Sequence, residues 1–124
     1  MKLSDIQKEM YKESTKAGYT ELWNKPTEAM KILEEECGIV PIDLIQEQKI
    51  YDIAEIGLIS TEVSELIEEI RNKEVNWDKV AFEGADIIIR ALNFLSRKNI
   101  DATKAIMDKH EKNMKRETLH GRGV

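Results

Sequence analysis

Apolar side chains recur along this chain at spacings of three and four residues, the period of an amphipathic helix. The alternation of apolar and polar residues that is typical of half-buried strands is absent. The pattern predicts five helices, at about 4–17, 26–37, 43–71, 77–97 and 101–116. Because short connections between long helices favour antiparallel neighbours, we expect an all-α fold: a four-helix-type bundle with an additional short helix.

Capping residues mark the expected ends of these helices. Ser4 and Asn76 are of the types that cap helix N-termini, and Gly18 and Gly38 suit the left-handed backbone that ends a helix. After the last predicted helix, residues 117–124 include two glycines and few side chains to bury. We expect this segment to be a flexible tail.

Composition and charge narrow the possible partners. The chain is 41% hydrophobic, too apolar for a disordered protein. Its net charge of −5 argues against a long nucleic acid as partner, since that requires a basic surface. No apolar run approaches the roughly 20 residues that cross a bilayer, and the single cysteine, Cys37, fits a reducing compartment. We expect one soluble, cytoplasmic domain over residues 1–124, without a membrane partner.

Acidic residues interrupt the apolar faces of the two longest predicted helices. At 100° per residue, Glu62 and Glu65 share a side of the third helix with Leu66. Glu83 and Asp86 share a side of the fourth helix with further apolar residues. A buried carboxylate without a partner is costly, and several together also repel one another. A divalent cation among the four carboxylates would compensate both effects.

Glutamate pairs at this spacing also occur on solvated helix surfaces, and Glu65 with Glu68 is another such pair in this chain. The pattern is therefore open to a second interpretation. The acidic faces would then belong to a helical interaction protein that binds a basic partner.

The residue types favour Mg²⁺ if a metal binds, with Mn²⁺ as a possible substitute. Mg²⁺ prefers oxygen ligands and commonly takes one or two carboxylates together with substrate phosphates. Calcium is disfavoured because the chain has no EF-hand pattern. Zinc would require histidine or cysteine ligands, and His110 and His120 lie outside the acidic helices.

The fifth predicted helix carries the opposite charge. Lys109, Asn113 and Arg116 fall on one stripe of it, after an apolar first half. These side chains suit the phosphates of a metal-chelated polyphosphate. The alternative is that basic residues here only complement the negative end of the helix dipole.

The order of these motifs resembles the MazG-type all-α nucleoside triphosphate pyrophosphohydrolases. Their signature, E-x-x-E followed by E-x-x-D, is similar to Glu62-Val63-Ser64-Glu65 and Glu83-Gly84-Ala85-Asp86, and residues 109–116 resemble their phosphate-contacting helix. The resemblance covers about residues 3–19 and 55–121. Residues 24–50 depart from the compact members of the family and are a possible insertion.

The resemblance implies a Mg²⁺-dependent enzyme that cleaves nucleoside triphosphates to monophosphates and pyrophosphate, as nucleotide-pool house-cleaning. It implies the following roles: Glu62, Glu65, Glu83 and Asp86 as metal ligands, Glu65 also as the catalytic base, and Lys109, Asn113, Arg116 and Arg90 as phosphate contacts. Tyr19 and Trp23 are candidates for stacking on the base, although aromatic residues at helix ends also serve in packing. The family also implies a homodimer or homotetramer. Hydrolysis of dUTP or of phosphoribosyl-ATP is an alternative reaction of the same kind.

Overall fold

The structure is a computed structural model that describes residues 1–116. Within these residues the chain forms six helices and no strand, so the predicted all-α class is confirmed. The helices are α1 (Leu3–Lys16), α2 (Tyr19–Trp23), α3 (Lys25–Cys37), α4 (Ile42–Arg71), α5 (Trp77–Arg97) and α6 (Ala102–Met114). The predicted flexible tail at 117–124 lies outside the described residues.

Most helix ends follow the capping residues. Gly18 and Gly38, just beyond α1 and α3, adopt left-handed φ values of 90° and 67°. In this conformation a residue with a side chain would be strained. The Asn76 side chain accepts a hydrogen bond of 3.2 Å from a backbone N–H in the first turn of α5. Ser4 is not a cap, because α1 already begins at Leu3. Helices fray at their first turn, and one residue of displacement there is ordinary.

Helix α2 lies in a segment that was predicted to have no helix. Its five residues, Tyr19–Trp23, are too few to show an apolar period, so the sequence carried no signal for it. Helix α4, in contrast, continues through Gly57 without a break, as its long apolar pattern predicted. Its 30 residues make it about 45 Å long.

The long helices pack in the order α1, α5, α4, α3, with the most extensive contact between α4 and α5. Two ion pairs show that α4 and α5 run antiparallel. Arg90 of α5 donates to Glu62 of α4, and Arg97, two turns later on α5, donates to Glu55, two turns earlier on α4. Side chains at the middle of one helix therefore face the middle of the other.

A buried amide joins α1 to the turn between α5 and α6. The Gln7 side chain donates to Ser96 Oγ at 3.0 Å and to the Ile100 carbonyl at 2.9 Å, and its Oε1 accepts from the Ala102 N–H at 3.0 Å. Because buried amides are costly unless they are satisfied, these bonds specify where α1 sits along α5.

A buried arginine organises the contact of α4 and α5 with the α2–α3 junction. The Arg97 side chain is only 1% exposed and pairs with Asp52 and Glu55 of α4. It also donates to Asn24 Oδ1 at 2.7 Å. Gln48 completes the link, since its Nε2 donates to the Trp23 carbonyl and to Asp52. The segment 24–50, predicted as a possible insertion, is thus tied to the rest of the fold by hydrogen bonds.

Helix α4 buries several polar residues and leaves a row of apolar residues exposed. Glu62, Glu69 and Gln48 are buried. An adjacent stripe, which we call the α4 apolar stripe, is 37% to 71% exposed and consists of Ile42, Ile45, Ile53, Ile56, Val63, Ile67 and Ile70. Val63 and Ile70 are therefore exposed, although each directly follows a buried glutamate in the sequence. Among residues 1–116, no helix contains a stretch long and apolar enough to cross a membrane.

Candidate metal and nucleotide site

Three of the four predicted metal-ligating carboxylates meet between α4 and α5. Glu62, Glu83 and Asp86 each offer a carboxylate oxygen, and these oxygens lie within 4.8 Å of one another. The i, i+3 spacing of Glu83 and Asp86 places both on the side of α5 that faces α4. The antiparallel register then brings Glu62 opposite them.

The fourth predicted ligand, Glu65, lies close to Glu62 and Glu83. The charge of Glu62 raises the pKa of the Glu65 carboxyl, and the hydrogen-bonding proximity of Glu62 and the charge of Glu83 raise that pKa further. Such an effect requires the carboxylates to be close. Glu65 also lines a hollow together with Glu83. We call the three converging carboxylates and the neighbouring Glu65 the acidic cluster: Glu62, Glu65, Glu83 and Asp86.

The negative charge of the acidic cluster is only partly compensated by the protein. Glu62 is 8% exposed and accepts a hydrogen bond of 2.9 Å from Arg90 Nε. Glu83 Oε2 is buried and has no hydrogen-bond partner among residues 1–116. An orphaned carboxylate oxygen beside three other carboxylates is a position that a divalent cation would stabilise, and all the ligand atoms are oxygens. The residues present therefore fit Mg²⁺ or Mn²⁺.

Arg90 lies one turn beyond Asp86 on α5, as its predicted role requires. In the structure its Nε donates a hydrogen bond to Glu62 Oε1. The guanidinium has further N–H donors, and Arg90 also lines the cavity described next. Its expected contact with phosphate stays a prediction.

A cavity of about 330 Å³ opens beside the acidic cluster, between α1, α2, α4 and α5. We call it the aromatic cavity. It is lined by Met10, Glu13, Ser14, Ala17, Tyr19, Trp23, Glu55, Asp86, Ile89, Arg90 and Asn93. Its volume falls at the lower end of the range of small-molecule sites. The structure thus places both predicted base-stacking residues, Tyr19 and Trp23, in one cavity with a residue of the acidic cluster.

A second hollow, of about 520 Å³, borders other members of the cluster, and all of its lining residues are polar or charged. Glu65 and Glu83 line it together with Glu69 and Lys79. Lys79 Nζ is 3.6 Å from Glu69 Oε2 and compensates that buried carboxylate. The acidic cluster is therefore open to ligands from two sides.

The predicted phosphate-binding residues of α6 are not part of either hollow. Lys109 and Asn113 line a separate shallow hollow with His110, Ala105 and Ile106. Arg116 follows the end of α6. Asn113 Oδ1 is buried without a hydrogen-bond partner among the described residues. Within one chain, then, the structure groups Arg90 with the acidic cluster and keeps the α6 residues apart.

Sequence reasoning missed two polar residues of the aromatic cavity, Glu55 and Asn93. A signal for them was present in the spacing. Asn93 follows Asp86 by seven residues and Glu55 precedes Glu62 by seven, so each lies two turns along the stripe that carries the acidic cluster. Extending the search along both stripes would have found them.

Comparison with protein-family models, with curated proteins and with solved structures finds no match for this chain. The similarity to MazG-type enzymes therefore stays a hypothesis carried by the motifs and their geometry.

Proposed function

We propose that this protein is a Mg²⁺-dependent nucleotide pyrophosphohydrolase that cleaves nucleoside triphosphates to monophosphates and pyrophosphate. The observation that carries the proposal is the convergence of Glu62, Glu65, Glu83 and Asp86 beside a cavity of the size of a small ligand. A role in removing surplus or non-standard nucleotides from the cytoplasmic pool follows from this reaction.

The acidic cluster is the proposed holder of the cation and of the reacting phosphates. Bound Mg²⁺ supplies positive charge that offsets the charge of the carboxylates and of the leaving pyrophosphate. Glu65 is an exposed member of the cluster, and the pKa of its carboxyl, raised by Glu62 and Glu83, suits a group that accepts a proton from the attacking water. Water then attacks the α-phosphorus, and the bond to the bridging oxygen of pyrophosphate breaks.

The remaining predicted residues are proposed to bind the phosphates and the base of the substrate. Arg90 pairs with the acidic cluster and lines the aromatic cavity, and it is proposed to contact a phosphate. Tyr19 and Trp23 are proposed to pack against the base. The distal phosphates are proposed to bind Lys109, Asn113 and Arg116. This role requires the hollow on α6 that Lys109 and Asn113 line to lie next to the acidic cluster of the same chain or of another copy.

We also propose that the protein is a homodimer or homotetramer in which the α4 apolar stripe is covered and a bundle is completed. Among residues 1–116, the only buried apolar residues are Pro26, Leu92 and Ala102. The chain exposes 9484 Å², whereas a compact monomer of this mass exposes about 6,800 Å². A row of exposed apolar residues such as the α4 apolar stripe commonly marks an interface between subunits.

Incubation of the full chain with Mg²⁺ and a panel of nucleoside triphosphates, deoxynucleoside triphosphates and phosphoribosyl-ATP tests the proposed reaction. The expected products are the monophosphate and pyrophosphate in equal amounts. Release of orthophosphate alone would refute cleavage at the α-phosphorus. The same panel separates the general reaction from specific hydrolysis of dUTP or phosphoribosyl-ATP.

Glu62→Gln should lower kcat/KM by more than about 100-fold, because it removes a ligand charge from the metal site at nearly constant volume. The matched control is Glu47→Gln, an exposed glutamate of the same helix, which should keep wild-type activity. Equal activity of both variants would remove Glu62 from the site. Absence of any nucleotide hydrolysis by the wild type would favour the alternative, a helical interaction protein.

A further inference from the structure

Glu55 presents a fixed carboxylate oxygen to the aromatic cavity. Arg97 Nε and Nη2 both donate to Glu55 Oε1, at 2.8 and 2.6 Å, which leaves Oε2 for a ligand. The side chain is only 12% exposed and lines the cavity. Because Arg97 is itself held by Asp52 and Asn24, the position of the Glu55 carboxylate is determined by a network and not by one flexible pair.

Asn93 adds an amide group to the same cavity. Its Oδ1 is buried and has no hydrogen-bond partner among residues 1–116. Buried amide oxygens without partners are rare because each one costs free energy. Asn93 lies seven residues after Asp86 on α5, which is about 10 Å along the helix axis. That separation suits a ligand that extends from the acidic cluster into the cavity.

We infer that Glu55 and Asn93 read the edge of the nucleobase and select bases that carry an exocyclic amino group. This inference rests on the proposed function, since it requires a nucleotide whose phosphates lie at the acidic cluster. The amino group of cytosine or adenine would donate to Glu55 Oε2 or Asn93 Oδ1, and the adjacent ring nitrogen would accept from Asn93 Nδ2. Uracil presents a carbonyl oxygen at the same position, which would face the carboxylate oxygen with no proton between them.

Equilibrium binding of dCMP and dUMP tests this selection without turnover. The two nucleotides differ only in the edge that the pair is proposed to read. Calorimetric titration of the full chain with each, in Mg²⁺, should show dCMP binding at least about tenfold more tightly, the effect of one hydrogen bond to a charged group. Equal affinities, tighter binding of dUMP, or binding of neither would overturn the inference. Equal affinities would also be expected if Glu55 bound the sugar hydroxyls.

Two variants assign the preference to the residues. Glu55→Gln should reduce the preference for dCMP, because the amide offers a donor to uracil as well as an acceptor to cytosine. The matched control is Glu47→Gln, the same substitution at an exposed glutamate of α4 that does not line the cavity; it should keep the preference. Asn93→Leu makes the same test without touching Arg97, and should weaken dCMP binding at least about tenfold. An unchanged preference in either cavity variant would contradict the assignment.

Failure of this inference is distinguishable from failure of the proposed function. If pyrophosphate is released from the nucleotide panel but dCMP and dUMP bind equally, the reaction stands and base selection by Glu55 and Asn93 is wrong. If dCMP binds preferentially but no nucleotide is cleaved, the binding site stands and the proposed hydrolysis is wrong.

Discussion

The ionised carboxylate of Asp52 is stabilised by several hydrogen-bond donors at once, from α4, from α5 and from the residue that follows α5. Burial alone would raise the pKa of its carboxyl, but hydrogen bonds from Lys98, Arg97 and Gln48 outweigh burial, and the net effect lowers the pKa below 3.8. Arg97 Nη2 lies 2.6 Å from Asp52 Oδ1, and Lys98 pairs with the other oxygen. The ionised carboxylate is therefore favoured in the folded state.

A lowered folded-state pKa makes the contribution of Asp52 dependent on pH. The carboxylate stabilises the fold at pH values above its unfolded pKa, and this contribution is lost as the pH falls through the folded pKa. Asp52→Asn should lower the free energy of unfolding by about 1–3 kcal/mol at pH 7. The difference from the wild type should shrink below about pH 4, where the unfolded carboxyl takes up its proton.

Urea denaturation of both proteins between pH 3 and pH 7 measures this difference. Glu47→Gln, which changes an exposed carboxylate on the same helix, is the control and should show little effect at any pH. A difference between the wild type and Asp52→Asn that stays constant over the whole range would show that the Asp52 charge is not the stabilising factor.

Not every contact in the site was predictable. The acidic cluster was found because carboxylates on an apolar helix face break the amphipathic pattern. Glu55, Asn93 and Arg97 continue the same two stripes, so their positions were open to prediction, but their hydrogen-bond partners were not. Those partners belong to other helices, so their identity depends on the register between α4 and α5, which the sequence alone does not specify.

Among the elements, α4 departs most from an ordinary amphipathic helix. Its inward side carries buried glutamates, and the α4 apolar stripe lies outside. The sequence predicted the length of this helix well, because an apolar period sustained over 30 residues is a strong signal. The burial of the side with Glu62 was predictable from its leucines, but the exposure of the α4 apolar stripe was not, because apolar residues on a helix are expected to be buried. In the proposed oligomer a second chain would cover this stripe. Helix α2 was missed because its five residues are too few to show an apolar period.

The α4 apolar stripe gives a test of the proposed oligomer. Sedimentation velocity of the wild type at micromolar concentration should show a dimer or tetramer. Ile53→Glu and Ile67→Glu each place a charge in the middle of the stripe, where burial in an interface would be costly. Each variant should shift the distribution toward monomer.

Exposed apolar residues outside the stripe provide the control. Met107→Glu on α6 changes a residue that is 59% exposed and should leave the oligomer intact. A wild type that sediments as a monomer would contradict the proposal. So would stripe variants that assemble as well as the wild type.

For the whole molecule, the decisive feature is where negative charge is concentrated. The chain has a net charge of −5. Three of its carboxylates converge between α4 and α5 with Glu65 beside them, and among these four residues Arg90 pairs with Glu62. Folding gathers this charge at the junction of two hollows instead of dispersing it over the surface. Such an arrangement is costly in isolation, and the divalent cation of the proposed function would offset this cost, since a ligand that binds only the folded state stabilises it.

Binding of Mn²⁺ in the absence of nucleotide tests this claim most directly. Titration of the full chain, with free Mn²⁺ followed by electron paramagnetic resonance, should show saturable binding by the wild type and by Glu47→Gln. Glu83→Gln, which removes the orphaned carboxylate, should weaken that binding at least about tenfold. A wild type that leaves Mn²⁺ free, or a Glu83→Gln variant that binds it with unchanged affinity, would contradict the account.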